Sequence, residues 1–207
     1  FTELGVFETY KPVIKNSLNE NGILFLANIH PSLQLDVLRQ MESKISMVVS
    51  DTMNLWIDID LEGVKEVISK SNIFLLNDEE AMQLTGITDM IEAGKAIQNM
   101  GPETVIIKLG GKGSLLIEKH ECFHVPCVPG IDVYDPTGAG DSFAGGFMGY
   151  IAASGNLDFP AMQAGMAWGT ITASFTLGSF GLNGLCSTSR EELEARMTTF
   201  KQIVKIS

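Results

Sequence analysis

The chain has 207 residues, 45% of them hydrophobic, with 14 Lys and Arg against 25 Asp and Glu and a formal net charge of −11. That length and apolar content suit one large domain with a sizeable core, and the acidic balance argues against nucleic acid or an anionic membrane surface as the main partner. A phosphate-bearing ligand stays open, because local N–H groups or a metal override a global charge.

No apolar run reaches the roughly 18 uninterrupted residues of a membrane span. Phe1 opens no charged-then-apolar leader. Cys122, Cys127 and Cys186 form no C-x-x-C pair and read as small buried thiols of a reducing compartment. The expectation is a soluble, cytoplasmic chain that lacks its true N-terminus.

In chain order, Phe1 to Phe7 reads as a strand end, and residues 11–20 as loop with a short helix. Asn21-Gly22 is a turn signal. Ile23 to Ala27 is a continuous apolar run, which predicts a strand buried on both faces. Pro31 fits the first turn of a helix to Met41. Ile45 to Val49 is a second strand, with Asp51 and Asn54 past its end. Leu61 to Lys70 is helical. Ile73 to Leu76 is a third strand, ending in Asn77-Asp78-Glu79-Glu80.

Helices are expected over residues 78–84 and 89–99, stopped by Gly86 and by Gly101-Pro102. Thr104 to Leu109 is a fourth strand, followed by Gly110-Gly111-Lys112-Gly113. Ser114 to Glu118 and Cys122 to Val128 read as strands joined through Lys119-His120-Glu121. An extended run from Phe123 to Val133 leads to the turn Asp135-Pro136-Thr137-Gly138-Ala139-Gly140-Asp141 and an apolar helix reaching Ala153. Helices over 158–175 and 189–205 finish the chain, the last opened by the capping box Ser189-Arg190-Glu191-Glu192.

Strands alternating with helices predict an α/β fold: a doubly wound, mostly parallel sheet with helices on both faces. Residues 21–207 are expected to form this α/β core, with residues 1–20 outside it. Ligands of such sheets bind beyond the C-terminal strand ends. Four polar clusters lie there: Asp51/Asn54, Asn77/Glu80, Gly110 to Gly113, and Asp135 to Asp141.

At the last cluster, Gly138 and Gly140 let the backbone approach a phosphate closely. The N–H groups of Gly138, Ala139, Gly140 and Asp141 would form an anion hole at a helix start. Asp141 could take the proton of an attacking hydroxyl. A glycine turn with Asp141 as a dipole-favoured helix charge reads the same residues equally well. The stretch is not a Walker loop, since no G-x-x-x-x-G-K-[ST] occurs. Asn77 with Glu79 and Glu80 fits a helix cap. A carboxylate at a strand end could also organise the water shell of Mg²⁺. His30, His120 and His124 show no metal-ligand spacing and read as satisfied or exposed histidines.

Asp135 to Phe143 resembles the C-terminal signature of the ribokinase/PfkB carbohydrate kinase family, and the resemblance runs in order over residues 20–205. It implies ATP-dependent transfer of the γ-phosphate to a sugar or nucleoside hydroxyl, with Asp141 as base and Gly138 to Asp141 as the anion hole. Asn77 to Glu80 is similar to the family's N-x-x-E, which implies Mg²⁺ held through water by Glu80, with Asn77 on phosphate or water.

Lys108 to Gly113 resembles the family's nucleotide-contacting T-x-G-x-x-G. Gly110 and Gly113 match, and Lys108 stands where Thr or Ser is usual, so it would serve a phosphate as a point charge. Asp135 and Thr137, with carbonyls from the 174–186 segment, are implied ligands of a monovalent cation such as K⁺. The glycine-rich Phe175 to Leu185 stretch departs from the ribokinase version.

Partners expected are a small sugar or nucleoside, with no nucleic acid or membrane, and homodimerisation in the full-length protein. Two alternatives stay open. One is a nucleotide-binding core without activity, the family's substrate and lid segment being absent. The other is a pyridoxal or hydroxymethylpyrimidine kinase of the same superfold.

Overall fold

The structure is a computed structural model that describes residues 5–15, 22–119 and 121–204. One sheet carries β1 (Gly22–Leu26), β2 (Ile45–Asp51), β3 (Ile73–Asn77), β4 (Thr104–Lys108), β5 (Ser114–Glu118) and β6 (Glu121–Val125), in that spatial order. Strands β1 to β4 run parallel, and β5 and β6 add an antiparallel edge. Valine, isoleucine, leucine and phenylalanine dominate β2 to β4 because both faces of these strands are covered.

Helices α1 (Pro31–Met41), α2 (Asn54–Ile59), α3 (Leu61–Ser69), α4 (Asp78–Thr85) and α5 (Met90–Gln98) connect the parallel strands. Phe74, Leu76, Val105 and Ile107 meet Trp56, Val64, Ile68, Ala93 and Ile97 on their face of the sheet. The alternate strand residues, among them Val49, Leu75, Ile106 and Leu116, face the opposite way. There they pack on α6 (Ala139–Ser154), α7 (Phe159–Leu177) and α9 (Arg190–Val204). Both sheet faces are therefore clad, as expected for this α/β class.

The start of α6 is fixed by α7. Gly169 makes the close approach possible, since a Cβ there would lie 2.7 Å from the Phe143 carbonyl oxygen. Thr172 Oγ1 donates to the Ser142 carbonyl at 2.7 Å, and the Ser142 and Thr176 hydroxyls bond at 2.7 Å.

Several local expectations differ. The N-terminal strand end is a 3₁₀ turn over Gly5–Glu8, while Phe1 to Leu4 lie outside the described residues. Of the 11–20 segment expected as loop with a short helix, residues 11–15 are irregular and 16–20 lie outside the described residues, as do Asn21, His120 and the helix end at 205. The Phe123 to Val133 run ends as a strand at Val125, because Pro126 and Pro129 have no N–H to give a ladder. Asn54 opens α2, and 183–187 form a short α8 (Asn183–Ser187); the sequence pattern predicted no helix at either.

The Ser189 capping box is present, with Glu192 N–H on Ser189 Oγ at 3.2 Å and Ser189 N–H on Glu192 Oε2 at 2.8 Å. Cys122 and Cys186 are exposed free thiols, not buried ones. Neither described histidine is idle: His30 Nδ1 accepts the Ser32 N–H at 3.2 Å, and His124 Nε2 lies 2.7 Å from the Lys112 carbonyl. Among the described residues no helix is long and apolar enough to cross a membrane.

Candidate active site

The four polar clusters all stand at the C-terminal ends of the parallel strands, where the strand order puts them side by side. Asp51 ends β2, Asn77 ends β3 and Lys108 ends β4. Asp51 and Lys108 lie on the same face, the one that α6 covers, and reach each other across β3: Lys108 Nζ is 3.0 Å from Asp51 Oδ2.

Gly138 begins α6 in the left-handed conformation, φ 80°, which a residue with a Cβ adopts at a cost. No side chain caps this helix. Ala139 N–H turns back to the Pro136 carbonyl at 3.1 Å, and Ser142 N–H takes the Gly138 carbonyl at 2.9 Å. Among the described residues the N–H groups of Gly140 and Asp141 have no protein acceptor. The Gly138 N–H likewise has none, so these three are the open donors of this turn, and the helix dipole adds to their field. Lys108 Nζ would lie 3.5 Å from a Cβ on Gly140, so the ammonium sits against the same turn. Asp141 is exposed in the first turn of α6.

Asn77 and Glu80 form a reciprocal cap on α4. Asn77 Oδ1 accepts the Glu80 N–H and Glu80 Oε2 accepts the Asn77 N–H, both at 2.7 Å. Glu80 is buried, which pushes its carboxyl up to about 7. The Asn77 N–H and the Lys108 charge oppose that rise, and Asp51 and Glu79 add to it. Burial likewise raises Asp51, against the attraction and hydrogen bond of Lys108, with Asp141 adding repulsion. Lys108, Asp51, Glu80 and Asp141 are thus one electrostatic unit drawn from four elements.

Gly110 and Gly113 frame a 3₁₀ turn in which the Leu109 N–H bonds the Gly113 carbonyl at 2.7 Å. Gly113 is at φ 94° with its Cα against the Val125 carbonyl, leaving no room for a side chain. Asp135 lies one loop back. Its Oδ1 accepts the Thr137 N–H at 2.9 Å, and its Oδ2 accepts the Gly181 N–H at 3.0 Å. Those two donors, Gly181 foremost, hold its carboxyl below the usual range. The Tyr134 N–H on the Leu177 carbonyl, 2.8 Å, ties the same loop to the end of α7.

These pieces border a cavity of about 900 Å³. Asn77, Lys108, Gly110, Gly113, Ala139 and Gly140 line it. Its volume is in the range of small-ligand sites. The structure does not gather every expected residue at that wall. Gly138 and Asp141 are not lining residues although their turn borders it, Glu80 sits behind Asn77, and Asp135 and Thr137 form a separate loop clamp. The sequence reading missed the apolar wall formed by Val128, Ile131, Phe143 and Leu177. Nothing in the 126–131 stretch beyond its prolines signalled it.

The donor set fits an anionic ligand better than a protein-caged metal. Among the described residues no three His, Cys, Asp or Glu side chains gather into a metal cage. Glu80 has one carboxylate oxygen beyond its cap bond, which suits a water-mediated contact to Mg²⁺. Asp135 already receives two N–H groups, leaving only its remaining lone pairs for a cation.

Comparison with known proteins follows the same lines. The profile of the pfkB family carbohydrate kinases matches residues 13–182. Cytidine kinase of Thermococcus kodakarensis is 30% identical over 150 residues, covering 70% of this chain and 54% of that protein. Ribokinase of Haemophilus influenzae is 26% identical over 208 residues, covering 85% and 65%. Among solved structures, aminoimidazole riboside kinase from Salmonella enterica, complexed with aminoimidazole riboside and an ATP analog, superposes with a TM-score of 0.75 at 22% identity. That match covers 87% of this chain and 64% of the other. Ribokinase from Thermotoga maritima superposes with a TM-score of 0.70 at 26% identity, covering 88% and 59%. The chain therefore spans between 54% and 65% of the length of these relatives.

Proposed function

The chain belongs to the pfkB family of carbohydrate kinases, and on that premise we propose that it moves the γ-phosphate of ATP to a hydroxyl of a sugar or nucleoside. One observation carries this reading. At the start of α6 the open N–H groups of Gly138, Gly140 and Asp141 and the Lys108 ammonium stand beside a cavity of nucleotide size, with the Asp141 carboxylate exposed in the same helix turn. Donors for a phosphoryl group next to an exposed carboxylate are what in-line transfer to an alcohol requires.

In this reading the acceptor oxygen attacks the γ-phosphorus as its proton passes to Asp141. The bond from that phosphorus to the bridging oxygen breaks, and ADP leaves. The Gly140 and Asp141 N–H groups meet the transferred oxygens, Gly138 supplies the turn, and Ala139 holds it closed through Pro136. Lys108 and the Gly110 to Gly113 turn hold the nucleotide, and the apolar wall of Val128, Ile131 and Phe143 excludes water around it. Glu80, through water, and Asn77 are the residues that would hold Mg²⁺, which neutralises phosphate charge when bound. Asp135 and the Thr137 carbonyl would serve a monovalent cation such as K⁺, one loop behind the turn. The relatives' names cover both nucleosides and free sugars, so the acceptor is proposed at the level of that class.

The test is ADP formation from ATP and Mg²⁺ across a panel of sugars and nucleosides. Asp141→Asn should lower turnover by about 10²- to 10⁴-fold and leave ATP affinity within a few-fold. Near-wild-type turnover by that variant would sink the mechanism. ATP binding with no turnover on any acceptor would favour the reading of a nucleotide-binding core alone.

A further inference from the structure

Asp51 is 4% exposed, and both of its carboxylate oxygens are occupied. Oδ1 accepts the Thr52 N–H at 2.8 Å, and Oδ2 receives the Lys108 ammonium at 3.0 Å. Gln34 Nε2 bonds the Asp51 carbonyl at 2.9 Å, which fixes the strand end as well. On its other side the ammonium borders the open turn at Gly140 and lines the cavity. Lys108 is therefore shared between a buried carboxylate and the place where a phosphate would sit. An ammonium without its buried partner would put its whole charge on the nucleotide phosphates.

We propose that Asp51 is a positioning residue that counterbalances Lys108, so that the ammonium does not over-bind the nucleotide. The inference rests on the phosphotransfer reading above. Its logic is differential binding: a contact that stabilises bound ATP and bound ADP as strongly as the transition state tightens binding without speeding transfer. A lysine in this position is useful only if its hold on the ground state is tempered. Asp51 does so from beneath the sheet edge, without touching the substrate.

The test is calorimetric titration with ATP, ADP and AMP of the wild type, Asp51→Asn, Asp51→Glu and Lys108→Gln, with melting temperatures alongside. A unit charge removed about 7 Å from a phosphate, at an effective permittivity between protein-surface and bulk-water values, is worth on the order of tenfold in affinity. Asp51→Asn should therefore bind ATP and ADP on the order of tenfold more tightly, with AMP changed less than about twofold. Asp51→Glu should return to wild-type affinities, and Lys108→Gln should weaken ATP by about tenfold or more.

A purely structural Asp51 would lower the melting temperature and leave ATP affinity unchanged or weaker; that result in a folded Asp51→Asn overturns the inference. Should Asp51→Asn not fold, Asp51→Ser keeps an acceptor for the Thr52 N–H and carries the same expectation. Wild type binding ATP no better than AMP would overturn the phosphotransfer reading itself, and the inference with it.

Discussion

The buried Glu80 makes a prediction about stability that needs no substrate. Its carboxyl, 4% exposed, is raised from 4.5 to about 7, burial being the largest cause. A group whose folded value lies above its unfolded value stabilises fully below the unfolded value and loses that contribution as pH climbs through the folded one. The window is therefore pH 4.5 to about 7. The gap between those two values corresponds to about 3.4 kcal/mol at most.

Glu80→Gln removes the titration but keeps an oxygen for the Asn77 N–H, now 2.7 Å from Glu80 Oε2. Urea denaturation of both proteins from pH 4.5 to 8 gives a difference curve that carries the Glu80 titration together with its coupling to Asp51. Glu80→Gln should gain on the wild type through that range, by about 2–3 kcal/mol at pH 8. A chain of this size would show it as a rise in melting temperature of about 4–12 °C. A flat difference curve, or a variant less stable than wild type at pH 8, would refute the assignment of Glu80 as a buried, reluctantly ionised carboxyl.

The helix contact that places α6 is as sharply testable. Gly169→Ala puts a Cβ 2.7 Å from the Phe143 carbonyl, which should cost about 1–3 kcal/mol and, because α6 must shift, should also weaken ATP binding; thermal melts and titration read both. Gly113→Ala must leave φ 94° and displace the Val125 carbonyl, so it should cost about 2 kcal/mol or more. Because Gly113 borders the cavity, loss of nucleotide affinity should accompany that lower melting temperature. An unchanged melt in either variant would count against the packing described here.

The strands were legible where the chain writes a continuous apolar run. Ile23 to Ala27 and Ile73 to Leu76 announce themselves because both faces of a parallel strand are buried. The stop of β6 at Val125 was overrun, since the apolar character continues while the prolines end the ladder. Helix α2 was missed for a different reason. Six residues hold too little periodicity to declare a helix, and tertiary contacts fix this one. Trp56 is buried there, with its Nε1–H donating to Asn28 Oδ1 at 2.7 Å.

The turn proposed to hold phosphate could be picked out in the sequence because its glycine spacing and Asp141 lie in one continuous stretch. The Asp51–Lys108 pair was not. The two residues are 57 positions apart, and they meet only because the sheet order sets β2 and β4 on either side of β3. No local pattern encodes a contact that depends on strand order. The sequence raised Asp51 as a loop residue past a strand, whereas it is the buried last residue of that strand.

That pairing resolves an apparent contradiction in the charge. A chain of net charge −11 sets three carboxylates, Asp51, Glu80 and Asp141, around one ammonium at the place proposed for a polyphosphate. Counted formally the spot is anionic and should repel. Counted with its surroundings it is not. Glu80 is about half protonated near pH 7, and Asp51 is neutralised by Lys108. The open Gly140 and Asp141 N–H groups add positive potential at the helix start. What remains exposed and unpaired among the described carboxylates of this cluster is Asp141, the one the transfer reading uses. Burial at Glu80 and pairing at Asp51 thus do the same physical work: they lower the negative charge near a phosphate and leave one carboxylate free to take a proton.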